Sequence, residues 1–495
     1  MYIGLDVGTS GCKAAVIGAS GAILKTASRE YAFERPRPGW VELNPGAVWA
    51  AACETLASLA PESALARAIA VSSIGEAQVM LDEWDRPVMN AIVYLDTRAA
   101  EMAGEVRARF DPRELYKITG VPVNQMYSLC KQLWLKRNRP ELIERARRIF
   151  LLGDYLTYKL SGECAVDSAT ASRTMMFDVD ALDWSLAVFE RFELSRMPYS
   201  RVVPTGTVVG RILPDVAESC ALPREMRVVV GAHDQVMATL GSGVVEPGDL
   251  LMGEGSSESL NLVVSADQLR RDRLFRREIC IEPFVEPGRF LLPIGQLSHG
   301  TSIKWFIEAN RHAYEAEAAG DTLYAAAERL CAPDSGQLYF LPYLSGVNCM
   351  DAGSRAPASF IGIDSGTSVH SMYRAVLEGL SFETLSNMGL FCDAGVSVNR
   401  IVASGGGTKS RLLMQIKADA LKRPIELSHA ADSGVMGLAM VCARALGEIG
   451  SYREAAAAFV RTRDKIAPER DLSERYGEYL RLSGALKALF RNAQS

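Results

Sequence analysis

The sequence predicts a two-domain α/β protein, and three observations carry that reading. A chain of 495 residues is longer than one hydrophobic core usually supports. Short apolar runs alternate with longer amphipathic stretches, the pattern of α/β architecture. Residues 3–17 (IGLDVGTSGCKAAVI) read as strand, glycine-containing turn, strand, and residues 250–264 (LLMGEGSSESLNLVV) read the same way. Gly8-Thr9-Ser10 thus falls on Gly255-Ser256-Ser257 about half a chain later, as two copies of one ancestral design would give.

The elements follow in order. Strands are expected over 2–6, 13–18, 68–73, 226–231, 249–253, 259–264, 338–341 and 400–404. Helices are expected over 46–59, 97–109, 129–137, 140–147, 370–389, 409–422 and 434–447, and at the end over 452–461 and 473–491. The Pro/Gly turn Glu246-Pro247-Gly248 between two apolar runs places the domain boundary, giving domains 1–246 and 247–495.

Composition narrows the function. A net charge of −5 and a pI near 5.8, with no Lys/Arg block, argue against nucleic acid or an anionic membrane as partner. The N-terminus enters the apolar strand Tyr2-Ile3-Gly4-Leu5 directly, without the basic start of a signal peptide, and no apolar run reaches membrane-spanning length. Ten cysteines lie scattered singly, without a CxxC pair or zinc-ligand spacing. A cytoplasmic protein with reduced thiols is expected.

Two glycine turns and one glycine loop offer phosphate chemistry. A Gly-Thr-Ser turn between strands presents closely spaced N–H groups and hydroxyls with no bulky side chain in the way, and can cradle phosphate oxygens. Asp6, just before the first turn, is a candidate Mg²⁺ ligand. Lys13 either adds positive charge there or is a plain strand-surface lysine. Ser404-Gly405-Gly406-Gly407-Thr408-Lys409-Ser410 follows the strand Arg400-Ile401-Val402-Ala403 and precedes a helix, a strand–glycine loop–helix order that suits nucleotides or makes a plain tight turn. It matches neither the Walker A loop nor GxGxxG.

Candidate acids lie at strand ends. In Val230-Gly231-Ala232-His233-Asp234-Gln235, Asp234 is a candidate general base, with a helix N-cap as the alternative. Asp96 and Arg98, after Ile92-Val93-Tyr94-Leu95, could grip vicinal hydroxyls or pair at the surface. Glu76 and Gln78 are polar groups in an apolar run, which a hydroxylated ligand or backbone partners could satisfy.

Taken in order, these segments resemble the FGGY family of carbohydrate kinases over nearly the whole chain. The resemblance rests on Asp6-Val7-Gly8-Thr9-Ser10, Gly39-Trp40-Val41-Glu42-Leu43-Asn44-Pro45, Tyr94-Leu95-Asp96-Thr97-Arg98, Gly153-Asp154-Tyr155-Leu156 and Gly231-Ala232-His233-Asp234. In the second half it rests on Leu341-Pro342-Tyr343-Leu344, Arg374-Ala375-Val376-Leu377-Glu378-Gly379, Ser404-Gly405-Gly406-Gly407 and Gln415-Ile416-Lys417-Ala418-Asp419.

It implies two actin-like/RNase H-like domains of the actin/hexokinase/Hsp70-like ATPase fold with an interdomain cleft, sugar mainly on the first and nucleotide mainly on the second. It implies ATP and Mg²⁺ as cofactors and phosphorylation of a small sugar or polyol, with Asp234 as base and Asp6 at the metal. Substrate contacts are implied at Glu76, Gln78, Asp96, Arg98, His233 and Asp234. Nucleotide contacts are implied at Gly8, Thr9, Ser10, Lys13, Gly255, Ser256, Ser257, Gly300, Gly405, Gly406, Gly407 and Ser410. The family is compatible with a homodimer, though no interface pattern is legible.

Departures bear on the substrate. Family members acting on xylulose carry Gln-Met-His where Gly75-Glu76-Ala77-Gln78 stands, and the Arg of the glycerol-kinase Arg-Glu pair is missing there. Gly346-Val347-Asn348 replaces the usual Gly-Glu-Arg. A catalytically silent regulator of the same fold is the alternative reading; it would usually lack one of the acids at positions 6 and 234, and both are present.

Overall fold

The computed structural model describes residues 1–194, 198–318, 320–347, 356–429 and 432–491. Asn348 lies outside them.

The chain forms two compact units, and each is built from three segments. The first comprises 1–247, 263–292 and 432–461; the second comprises 248–262, 293–431 and 462–495. This differs from the single cut expected at 246/247, because two later segments return to pack with the first. The Pro247-Gly248 turn does mark the first crossing between units.

In the first unit, β1 (Tyr2–Val7), β2 (Gly11–Ile17), β3 (Ile23–Glu30), β4 (Ala68–Ser73), β5 (Val208–Arg211) and β6 (Arg227–His233) form one sheet in the order β5-β6-β4-β1-β2-β3. β1 pairs antiparallel with β2 and parallel with β4, and β4 is parallel to β6. β4 is buried along its whole length, so it reads as a continuous apolar run rather than an alternating one. β3 alternates half-buried and exposed residues, as an edge strand does, and periodicity missed it.

The second unit repeats this plan. β7 (Asp249–Glu254) and β8 (Glu258–Ser265, whose residues 258–262 lie in this unit) form the hairpin. β9 (Arg400–Ser404) lies parallel to β7 and β10 (Ile425–Ser428) parallel to β9, and β11 (Thr462–Ile466) closes antiparallel. The internal similarity of residues 3–17 and 250–264 is therefore a similarity of hairpins. The first hairpin pairs Val7 with Cys12, and the second pairs Glu254 with Glu258, leaving a turn one residue shorter.

Helix packing in the first unit depends on bare backbone. The helix Asp234–Gly241 lies against the helix Ser433–Ala445, and a methyl on Gly241 would meet Ser433 O at 1.8 Å, one on Gly437 Met237 O at 2.2 Å. A methyl on Gly4 of β1 would meet Val435 O at 2.7 Å. No side chain fits at these contacts, so backbone rests on backbone.

Candidate active site

In the first unit, β1, β4 and β6 run parallel, so their C-terminal ends bring Asp6, Ser72 and Asp234 to one edge of the sheet, where α/β proteins place ligands. Ser72 Oγ donates to Asp6 Oδ1 at 2.6 Å. Burial first, and then the charges of Asp234 and Asp432, push the Asp6 carboxyl up to about 7. Lys13, paired to Asp6 across the hairpin, forms an ion pair with Asp432, so its charge is already committed. The turn Gly8–Ser10 is braced from outside by Tyr31, whose hydroxyl donates to Gly8 O at 2.6 Å.

Asp234 is the first residue of its helix; the cap position is held by His233, which makes no side-chain capping bond. Its side chain is 27 % exposed, and Oδ1 is buried without a hydrogen-bond partner. His233 Nε2 stands 3.2 Å from that oxygen, and His233 Nδ1 lies 2.7 Å from Glu282 Oε1. Burial alone would lower the imidazole pKa, but Glu282 and Asp234 more than offset it and bring it to about 9. Burial, with Glu282 and Glu76, raises the Asp234 pKa, and His233 opposes the rise. The result is a charged imidazolium held between two carboxylates.

The residues expected to grip hydroxyls have partners. Glu76 Oε1 accepts from Arg173 Nε at 2.9 Å, and Glu76 is 3 % exposed. Burial would raise its pKa, but Arg173, His233 and Lys131 hold it below the usual carboxylate range. Lys131 donates to Glu76 O at 3.2 Å, and burial pushes its ammonium down to about 8. Gln78 donates to Tyr199 Oη and accepts from Gln132 Nε2, both at 2.9 Å. Asp96 and Arg98 form a buried fork, Nε to Oδ1 at 2.9 Å and Nη2 to Oδ2 at 2.7 Å. The guanidinium also reaches Glu42 and lies 3.7 Å from the Trp40 ring centroid. Asp96 Oδ2 accepts from Val41 N at 2.6 Å. This pair is buried rather than a surface salt bridge, and it braces the Trp40 segment.

The second unit holds a cavity of about 600 Å³. Gly255 and Ser256 of the β7–β8 turn line it, with Gly300, Gly406, Gly407, Ser410, Tyr324 and Tyr373. The N-terminus of the helix Gly300–Ala309 is tied to the turn by Gly300 N–H to Gly255 O at 3.2 Å and Thr301 N–H to Ser256 O at 3.1 Å. A methyl on Gly300 would meet Gly255 O at 2.4 Å, so only glycine allows that approach. Gly405 has φ 105°, a backbone that side chains disfavour, and a methyl there would meet Glu254 O at 2.6 Å. Ser410 caps the helix Arg411–Leu421 by accepting from Leu413 N at 3.1 Å. Glycine turn, helix start and glycine loop thus converge on one cavity, as an anionic ligand requires.

Sequence reasoning missed Arg173, Glu282, Lys131 and Asp432 in the first unit, and Tyr324, Tyr373 and His299 in the second. None lies in a glycine motif, and only folding brings them to the site.

A hard cation suits the first unit. Asp234 and Asp432 add to burial in raising the proton affinity of the Asp6 carboxyl, and a divalent ion beside it would relieve that. Asp6 is the residue that would hold it.

Residues 1–241 match the model of the N-terminal domain of the FGGY family of carbohydrate kinases, and residues 255–446 match that of its C-terminal domain. The chain is 26 % identical over 478 residues to a xylulose kinase of Bacillus subtilis (strain 168), covering 96 % of this chain and 94 % of that protein. It is 29 % identical over 472 residues to a glycerol kinase of Gloeobacter violaceus, covering 92 % of this chain and 90 % of that one. The crystal structure of xylulose kinase from Rhodospirillum rubrum superimposes with a TM-score of 0.88 at 26 % identity, covering 99 % of each chain. Among the described residues, no helix is long and apolar enough to cross a membrane. With both family domains matched in order over most of its length, the chain belongs to the FGGY family of carbohydrate kinases, with their two-domain fold, and is an ATP- and Mg²⁺-dependent phosphotransferase acting on a hydroxyl of a sugar or polyol.

Proposed function

We propose that Asp234 is the general base, accepting the proton of the substrate hydroxyl as that oxygen attacks the γ-phosphorus of ATP. The observation that carries this is the buried, unbonded Oδ1 of Asp234 at the C-terminal end of β6, beside the His233 imidazolium. Phosphoryl transfer asks chiefly for positioning and charge stabilisation. Asp234 then needs only a hydroxyl within hydrogen-bond reach and a charge environment that keeps it ionised, which His233 supplies.

In this reading, Glu76 and Gln78 orient the sugar hydroxyls. Arg173 fixes the Glu76 carboxylate, and the charges of Arg173 and Lys131 keep it ionised, so that it accepts rather than donates. Asp96 and Arg98 act through each other, locking the Trp40 segment that walls the sugar. Thr9 and Ser10 of the first turn offer N–H groups to phosphate, and Mg²⁺ at Asp6, when bound, neutralises charge on the phosphates. ATP enters the second unit's cavity, with Gly255–Ser257 toward its phosphates, Gly405–Gly407 toward its adenosine, and Gly300 and Ser410 at the two helix starts. The first unit serves mainly the sugar and the second mainly the nucleotide. A cytosolic location and a homodimer go with this reading; cell fractionation and sedimentation velocity test them.

The substrate is named by turnover. Coupled ADP release with Mg-ATP is measured against ketopentoses, deoxyketoses, aldonates, tetritols, pentitols and glycerol, with Asp234→Asn as the blank. Turnover on one class, lost in the variant, supports the reading. Turnover that survives in the variant removes Asp234 from the role.

A further inference from the structure

The roots of the β7–β8 turn carry two glutamates facing each other. Glu254 and Glu258 are direct partners in the hairpin register and both side chains are fully buried. Like charges directly opposite on a sheet repel, and burying carboxylates costs more still unless they are paired. The compensation is Lys417, also fully buried, whose ammonium reaches from the helix Arg411–Leu421 to hydrogen-bond both carboxylates. Thr384 Oγ1 lies 2.9 Å from each oxygen of Glu258, and His299 Nε2 lies 3.6 Å from Glu254 Oε2. Burial, then Lys417, drives the His299 pKa well down, so that ring is neutral and Lys417 is the cluster's cation. Glu254, Glu258 and His299 converge as metal ligands would, but the Lys417 ammonium already bonds both carboxylates of that set.

The placement of this cluster is informative. Gly255–Ser257 lies between the two glutamates. Lys417 belongs to the helix that begins at Arg411, just beyond Gly405–Gly407, and a methyl on Gly407 would stand 2.9 Å from Glu254 Oε2. One internal ammonium therefore ties both glycine elements that line the cavity to a common point. A buried ion triad is a costly way to gain stability, since apolar side chains of similar volume do as well or better, but it fixes geometry.

We propose that Lys417 is a positioning residue for the nucleotide: through Glu254 and Glu258 it holds the turn Gly255–Ser257 and the loop Gly405–Gly407 at the separation that ATP needs. This rests on the reading of the cavity as the nucleotide site. Lys417 touches no reacting atom, so its removal weakens nucleotide use and leaves sugar use alone.

The full-length enzyme is assayed as Lys417→Met and as the uncharged triple variant Glu254→Gln/Glu258→Gln/Lys417→Met, with KM for Mg-ATP, KM for the sugar and melting temperature recorded. Lys417→Met raises KM for ATP about tenfold or more, the cost of misplacing a binding group by about an ångström, with the sugar KM unchanged within about twofold. The triple variant, which removes the buried charge, recovers the melting temperature but not the ATP KM. An ATP KM that stays normal in folded Lys417→Met, or that recovers together with the melting temperature in the triple variant, overturns the proposal and leaves a purely structural role. Should Lys417→Met fail to fold, the triple variant alone decides on the same criterion. Gly406→Val runs alongside: a methyl at Gly406 meets nothing within 4 Å, so its side chain enters free space beside the cavity. If Gly406→Val also leaves the ATP KM unchanged, the cavity reading fails; if it raises that KM while Lys417→Met does not, only the present inference fails.

Discussion

Glu282 Oε1 stands 2.7 Å from His233 Nδ1, and the other nitrogen of the same ring stands 3.2 Å from Asp234 Oδ1. Carboxylate, imidazolium and carboxylate therefore form one chain of charge that ends at the proposed base. Glu282 comes from residues 263–292, the segment that crosses back into the first unit.

This chain sets a pH dependence of stability. The groups that shift His233 include burial, Glu282, Asp234 and Arg173, and their sum brings it to about 9. That value lies above the ordinary histidine pKa of about 6.5, so the folded state binds the proton more tightly than the unfolded state. The resulting stabilisation is complete below about 6.5 and is lost as pH rises through about 9. Thermal melts of wild type and His233→Asn from neutral to alkaline pH check this. The wild type loses melting temperature more steeply over that window; parallel curves would show that His233 does not hold its proton there.

Asp234→Asn lowers kcat by about 10²- to 10⁴-fold, the range for a positioned general base. Steady-state ADP release at saturating sugar and ATP measures it, and a loss below about threefold would be too small for that role.

Gly300→Ala pushes a methyl into Gly255 O and parts the helix start from the turn. KM for Mg-ATP is expected to rise about tenfold or more, with the sugar KM little changed. Paired titrations of both substrates distinguish this from general damage, which would move both.

The segmented first unit predicts how truncations behave. A fragment of residues 1–247 lacks both 263–292 and 432–461, leaving the helix Asp234–Gly241 without the backbone it packs on. Such a fragment is expected to melt without a cooperative transition and to bind a hydrophobic dye. A sharp calorimetric transition from the isolated fragment would show that it folds alone.

Much of the fold was legible because its signals are local. The hairpin 3–17 and its copy at 250–264 declare themselves by apolar runs around a glycine turn, and both form hairpins at those positions. The edge strand Ile23–Glu30 was not legible, because one side faces solvent and its polar residues hide the period. The acids Asp6 and Asp234 stand at strand ends where a motif can point to them. Arg173 meets Glu76 from far along the same segment, and Glu282, Asp432 and Lys417 come from segments reached after the chain has crossed between units; a single sequence does not show which distant residue meets which acid. The partners of Asp96 and Arg98 illustrate the same limit: spacing suggests a pair, and only the fold shows it buried against Trp40.

The glycine contacts of the first unit bear on motion. Gly4, Gly241 and Gly437 bring β1, the helix Asp234–Gly241 and the helix Ser433–Ala445 into backbone-to-backbone contact. Side-chain interfaces can slide by exchanging rotamers, whereas a contact of backbone on backbone has no rotamer to exchange. Asp6 on β1, Asp234 at one helix start and Asp432 at the other are therefore carried as a single casting. A change in the spacing of the three acids would require these backbone contacts to part.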